Sequence, residues 1–303
     1  MGLDPVDERW RAAARSARVR VVLADGGDER AVAAARTLDA EGLADPVLVH
    51  EAAPFRSPAV RARAEASAWR VRIDLDDPLH VAALMVAAGE AGACVAGAAR
   101  PTPDVVRAAL FCVGTAPGVD LISSSFMFVL PDGTPITYGD CGVVPEPDPA
   151  QLASIAIASA ATHAQLTGDE PRVAMLSYST KGSADGPGVE LVRTATGLVR
   201  SRAPSLAVDG ELQFDAAWVP DVAATKAPRS PVAGRANVFV FPDLSAGNIA
   251  YKITQRLAGA RAFGPLLQGT AGVIHDLSRG CSADDIVTVA TIAACQADSI
   301  SRL

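Results

Sequence analysis

Short apolar runs alternate with alanine-rich stretches of helical spacing along most of this chain. Arg20 to Asp25 is an apolar run closed by Gly26-Gly27, a helical stretch follows from about Glu29 to Glu41, and a second run covers Pro46 to His50. Strand, helix and strand in that order form a βαβ unit, which favours a parallel sheet. The pattern returns at Ala93–Ala98 with a helix near Asp104–Val113. It recurs at Arg172–Ser177 with a helix near Val189–Arg200, and at Asn237–Pro242 with a helix near Asn248–Ala258. Alternation of this length predicts an α/β fold.

The stretch from Leu121 to Val144 breaks the rhythm. Ser123–Leu130 and Ile136–Tyr138, joined by Pro131-Asp132-Gly133, read as two antiparallel strands and a turn. An insertion of this kind suits a domain junction or a dimer-forming arm. Pro145-Glu146-Pro147-Asp148-Pro149 ends it and starts the next helix. That helix, Pro149 to Gly168, is the longest uncharged stretch. Its Gln151, Ser154, His163 and Gln165 mark a buried amphipathic helix rather than a membrane span.

Composition narrows the picture. At 303 residues the chain can bury a large core, and two domains are favoured over one. Half of the residues are hydrophobic but only 5% are aromatic, so Ala, Val, Leu and Ile build the interior, as in parallel sheets covered by helices. A net charge of −7 argues against a nucleic-acid surface, while a few local arginines can still hold a small anion. The five cysteines include no Cys-x-x-Cys pair and the four histidines do not pair at ligand spacing, so buried reduced thiols and no metal are expected. The N-terminus is charged from its fourth residue and carries no apolar signal core, which predicts a cytoplasmic protein.

Three segments carry chemistry. Asp276-Leu277-Ser278-Arg279-Gly280 followed by Cys281-Ser282-Ala283-Asp284-Asp285 brings a hydroxyl, a guanidinium and carboxylates around a glycine turn. Ser282 to Asp285 also fits a capping box, and by pattern alone capping is the commoner use. Ser177-Tyr178-Ser179-Thr180-Lys181-Gly182-Ser183 lies after an expected strand, where hydroxyls and free amides can cradle an anion or simply make a surface turn. Lys252 and Arg256 stand four apart and share a helix face, either as a solvated stripe or as an anion grip. Cys141 has no histidine near it in sequence to act as base, so it reads as a structural thiol.

Read in order, Ser230-Pro231-Val232-Ala233-Gly234, the β-rich Val238–Asn248, Tyr251-Lys252, Gly264–Gly269 and the Asp276–Asp285 turn closely resemble the phosphate acetyltransferase (phosphotransacetylase) family. The likeness is nearly continuous from Pro171 to Ala297 and patchier from Arg18 to Pro149. It implies two α/β domains with largely parallel sheets facing a central cleft, an isocitrate dehydrogenase-like architecture. The first domain would be 1–120 completed by 266–303, and the second 121–265.

The resemblance also implies reversible transfer of an acetyl group between acetyl phosphate and coenzyme A, in a homodimer with no bound cofactor and coenzyme A as a substrate. A longer acyl chain (propionyl or butyryl), or a non-catalytic acyl-CoA-binding module, remains an alternative reading. By resemblance Ser278, Arg279 and Asp285 are catalytic, and Arg107, Ser177, Ser179, Thr180, Asn248 and Arg256 bind substrate. One departure is plain: the basic helical segment that the family carries after the position of Pro78 is missing here.

Overall fold

A computed structural model describes residues 5–67 and 73–301 of the chain, with side chains placed to 299. The unsignalled N-terminus expected above falls partly on residues 1–4, outside the described residues. The chain opens with α1 (Pro5–Ala17), β1 (Arg20–Leu23), α2 (Glu29–Ala40), β2 (Asp45–Leu48), α3 (Pro58–Ser67), α4 (Pro78–Ala87), β3 (Ala93–Ala96) and α5 (Thr102–Ala108). It continues through β4 (Ser123–Val129), β5 (Pro135–Gly139), α6 (Pro149–Thr167), β6 (Arg172–Leu176), α7 (Pro187–Arg202), β7 (Ala207–Leu212), α8 (Phe214–Trp218), α9 (Pro220–Lys226), β8 (Val238–Val240) and α10 (Leu244–Leu257). It closes with β9 (Arg261–Gln268), β10 (Val273–Asp276) and α11 (Ala283–Ser301). The expected βαβ rhythm is present, with strands one to three residues shorter than the apolar runs.

The chain forms two compact units, one from residues 1–122 with 263–303 and the other from Ser123 to Ala262. In the first unit the sheet runs β10-β3-β1-β2 and every pairing is parallel. All four residues of β3 and of β10 are buried; β3 therefore reads as an unbroken apolar run, whereas β10 ends on the buried polar pair His275 and Asp276. The helix expected at 104–113 stays α-helical only to Ala108 and then widens into a π turn over Ala109–Val113. On the C-terminal helix α11, Ile286, Val289, Ala290 and Ala293 are buried, and the helix lies against α1 and α2. Trp10 of α1 meets Phe263 of β9 edge-on, 5.5 Å between ring centres.

The second unit holds a sheet in the order β7-β6-β8-β5-β4, with β9, which begins in this unit at Arg261, next in line. Pairings β5–β8, β6–β8 and β6–β7 are parallel and β4–β5 is antiparallel. The hairpin therefore forms as expected but is no projecting arm. β5 pairs directly with β8, and all seven residues of β4 are buried. Phe126, Phe128, Tyr138, Phe239 and Phe241 meet in this core, and nine of the chain's fourteen aromatic residues lie between Ser123 and Ala262. Helix α6 starts on an Asp148–Gln151 capping box and stops at Gly168 in the left-handed region (φ 73°). Among the described residues no helix is long and apolar enough to cross a membrane.

Candidate active site

Strand β10 delivers the Ser278–Asp285 turn to the carboxyl edge of the first unit's sheet. Asp276 pairs with Ala96 at the end of β3, Leu277 is buried, and then Ser278, Arg279 and Gly280 emerge into solvent. The turn closes through Cys281 N–H donating to the Ser278 carbonyl (2.9 Å), while Gly280 N–H donates to Ser278 Oγ (3.2 Å). Burial of Cys281 and Ile286 fixes the turn at both ends. The capping box is real. Asp285 Oδ2 accepts from Ser282 N–H (2.8 Å) and Ser282 Oγ (2.9 Å), and Asp285 N–H donates back to Ser282 Oγ (3.1 Å). Asp285 is exposed and its Oδ1 has no hydrogen bond among the described residues. The Arg279 guanidinium likewise makes no hydrogen bond or ion pair with any described residue, whereas its carbonyl is held.

What holds that carbonyl is a residue the sequence did not single out. Arg30, in the first turn of α2, donates through Nη1 to the carbonyls of Arg279 and Cys281 (2.9 Å each). Nη2 donates to the Ala98 carbonyl (2.7 Å) and to Asp28 Oδ2 (2.7 Å), and Nε to Asp28 Oδ1 (2.9 Å). A guanidinium has five N–H donors, and here each has an acceptor. The Arg30 side-chain hydrogen bonds keep the Asp28 carboxyl below its usual range. Arg30 thus ties the start of α2 and the loop after β3 to the turn, using all its own capacity to bind an anion.

Beneath the turn lies a buried carboxyl. Asp276 is fully buried, and burial pushes its pKa up to about 7 despite a Thr102 hydroxyl donating to Oδ2 at 2.5 Å. Its Oδ1 has no hydrogen-bond partner among the described residues and faces Gly97, where a Cβ would sit 2.1 Å from it; Gly97 also adopts φ 104°. Asp25, after β1, accepts from Ala98 N–H (2.9 Å), and burial raises its pKa too. Helix α5, which starts at Thr102, carries Arg107 in its last turn. That side chain is exposed and ion-paired to Asp104 three residues back.

In the second unit the Ser177–Ser183 loop follows β6 as expected, but the anion cradle is already occupied by the protein itself. Glu211 of β7 accepts from Ser179 Oγ (3.0 Å), from Gly182 N–H (2.8 Å) and from Arg193 Nε (3.1 Å). Burial alone would raise the Glu211 carboxyl, but these donors outweigh it and hold it at about 2. Ser179 and Thr180 are buried. Ser179 Oγ also receives Ala184 N–H, Thr180 N–H donates to Ser183 Oγ, and Thr180 Oγ1 is engaged with Gln213. In this structure both hydroxyls, expected from the sequence to bind substrate, are engaged by the protein itself. They shape the loop, and half-buried Ser177 and exposed Tyr178 are what it presents.

Helix α10 carries the remaining candidates. Asp243 caps it by accepting from Ala246 N–H (2.8 Å). Asn248 donates to the buried Cys141 carbonyl (3.1 Å) and accepts from Lys252 Nζ (2.6 Å), so it locks the start of the helix to the loop after β5. Arg256 is exposed, with no hydrogen bond or ion pair to any described residue. Cys141 is fully buried, and burial raises its thiol pKa well above the usual range. Among the described residues no group of His, Cys, Asp or Glu is arranged to hold a metal ion.

Comparison with known proteins decides the family. The family model described as phosphate acetyl/butaryl transferase matches residues 6–74 and 59–294. The chain belongs to this family. The phosphate acetyltransferase of Paracoccus denitrificans is 43% identical over 97% of this chain and 99% of its own length. That of Acetivibrio thermocellus is 53% identical over 76% of this chain and 70% of the relative. A crystal structure of a phosphotransacetylase from Streptococcus pyogenes superposes with a TM-score of 0.91 at 37% identity, covering 98% of this chain and 99% of that one. The two pieces of the family match overlap at residues 59–74.

Proposed function

We propose that this chain is a phosphate acetyltransferase, transferring an acetyl group reversibly between acetyl phosphate and coenzyme A. The observation that carries the reading is the Ser278–Asp285 turn, with an unpaired guanidinium, a serine hydroxyl and a carboxylate oxygen exposed on a backbone clamped by Arg30. A thiol near its ordinary pKa of about 8.5 is mostly protonated at neutral pH, so a carboxylate that takes its proton assists the attack. Asp285 Oδ1 accepts that proton, and the thiolate sulfur bonds to the carbonyl carbon of acetyl phosphate. Ser278 Oγ donates to the oxyanion that develops. The carbon–oxygen bond to phosphate then breaks, acetyl-CoA forms, and Arg279 binds the departing phosphate through parallel N–H donors.

Arg256, Ser177 and Arg107 complete the proposed substrate contacts, Arg107 after release from Asp104. Asn248, Ser179 and Thr180 act through the loops they brace. The same reading makes coenzyme A a passing substrate rather than a resident cofactor, and makes the enzyme a cytoplasmic homodimer of two-domain protomers, 1–120 with 266–303 and 121–265. The test is a coupled assay of phosphate-dependent acetyl-CoA cleavage with wild type and Arg279→Ala. Turnover in the wild type with a loss of roughly 10²–10³-fold in the variant supports the assignment. A folded wild type without turnover defeats it.

A further inference from the structure

The second unit contains a cavity of about 620 Å³ that shares Ser177 with the proposed substrate contacts but whose apolar walls none of the proposed steps uses. It opens at the carboxyl ends of β6 and β8, walled by Leu176, Leu191, Phe214 and Phe241. Helix α7 carries the chain from β6 to β7 on one side, while α10 leads from β8 towards β9 on the other. The strand order therefore reverses between β6 and β8, the place where open α/β sheets bind ligands. The volume falls in the range of small-molecule sites, about 300–1,000 Å³, and far exceeds the needs of a two-carbon acetyl group.

The lining also excludes a class of ligand. Its charged members are Glu146 and Asp243, and no Lys or Arg lines it. The Asp243 carboxylate caps α10, and the nearby hydroxyl loop is neutralised by Glu211. An acidic, cation-free pocket repels phosphate. Its apolar walls and the Ser177 and Tyr178 hydroxyls suit an uncharged chain with a few polar atoms.

We infer that this cavity binds the uncharged aliphatic part of a substrate. Given the proposed acyl transfer, on which the naming of the ligand rests, that part is either the pantetheinyl arm of coenzyme A or an acyl chain of three or four carbons. The existence of the site does not depend on that reading.

Gly188 provides the test. It lines the cavity in the first turn of α7, and a Cβ there would meet no heavy atom within 4 Å, so Gly188→Phe fills the space without a backbone clash. Pantetheine, which carries no phosphate, is titrated calorimetrically into wild type and variant, and KM for coenzyme A and the butyryl-to-acetyl phosphate turnover ratio are measured alongside. Pantetheine binding weakened roughly tenfold or more, with KM for coenzyme A rising likewise, assigns the pantetheinyl arm. A butyryl-to-acetyl ratio reduced about tenfold, with pantetheine unaffected, assigns the acyl chain.

Leu191→Ala, which widens the wall, should move the same readout in the opposite direction and serves if Gly188→Phe does not fold. Variants that change neither readout overturn the inference. A wild type that transfers no acyl group removes the proposed function and leaves the pantetheine titration to decide alone, absence of binding then overturning the site as well.

Discussion

The Ser278–Asp285 turn and the Ser177–Ser183 loop are written in a similar alphabet of hydroxyls, glycine and one cation, each just after a buried strand. They differ in where their donors point. In the loop, Ser179 and Gly182 donate to Glu211, Ala184 to Ser179 and Thr180 to Ser183, while Lys181 is paired to Asp209 and the Gly210 carbonyl. In the turn, the clamping is done from outside by Arg30, so the Arg279 guanidinium stays unengaged. A Gly/Ser-rich segment binds a ligand only with donors that its own fold has not used. Which segment retains such donors depends on residues remote in sequence.

Breaking the turn should have the largest effect. Asp285→Asn keeps the shape and the capping geometry, so stability should change by about 1 kcal/mol or less. If Asp285 is the base, acetyl-CoA formation falls roughly 10²–10⁴-fold and is partly restored at higher pH, where more thiolate is present. Near-normal turnover would reduce Asp285 to a helix cap.

The carboxyl beneath the turn comes next. Asp276 in the fold holds its proton up to about pH 7, whereas the unfolded chain loses it near the ordinary 3.8. Unfolding therefore gains an ionised carboxylate between those values, and wild-type stability falls as pH rises through this window, then levels off. Asp276→Asn removes that slope. Its stability relative to wild type should rise from pH 4 to pH 7 by up to about 4 kcal/mol, read from urea midpoints. Taking the difference cancels the neighbouring His275, which burial depresses to about 4 and which contributes a slope of opposite sign below pH 6.5. A flat difference would show that Asp276 ionises freely in the fold.

Arg30→Lys sharpens the contrast by loosening the external clamp. A lysine is a point charge and cannot span the Asp28 carboxylate and three separate carbonyls at once. We expect kcat to drop about tenfold with KM for phosphate little changed, because the turn is displaced while its own guanidinium remains. A KM effect without a kcat effect would mean that Arg30 touches substrate. The smallest expected effect is Ser179→Ala, costing about 1–2 kcal/mol of stability in thermal melts while turnover stays near wild type. A large rise in KM there would restore the hydroxyl loop as a binding element.

Much of this was legible in the sequence because it is local. Apolar runs gave the strands, Ser282 and Asp285 gave the cap, and the Pro145-Glu146-Pro147-Asp148-Pro149 segment gave the start of α6, all from spacings of a few residues. The features that went unread are long-range. Arg30 reaches a carbonyl 249 positions away, and Glu211 approaches its loop from 32 residues downstream of Ser179. Neither has a local signature, since an arginine in a helix's first turn or a glutamate in a strand ordinarily faces water. The hairpin at Leu121–Val144 was read correctly as antiparallel, yet its burial inside a sheet depends on β8, a hundred residues later.

The interrupted layout of the first unit has a consequence for biosynthesis. A ribosome completes Ser123–Ala262 while β10 and α11 are still to be translated, and β3 waits for β10 to pair with it. Domains emerging whole can fold as they appear, at about 5–20 residues per second of synthesis. The earlier-made 1–122 segment must instead persist with an uncovered strand edge until β10 has been made. The turn bearing Ser278, Arg279 and Asp285 runs from the end of β10 into the first turn of α11, so a nascent chain that stops before it lacks the proposed chemistry altogether. Exposure of the β3 edge in such fragments is the hazard that chaperones would need to shield.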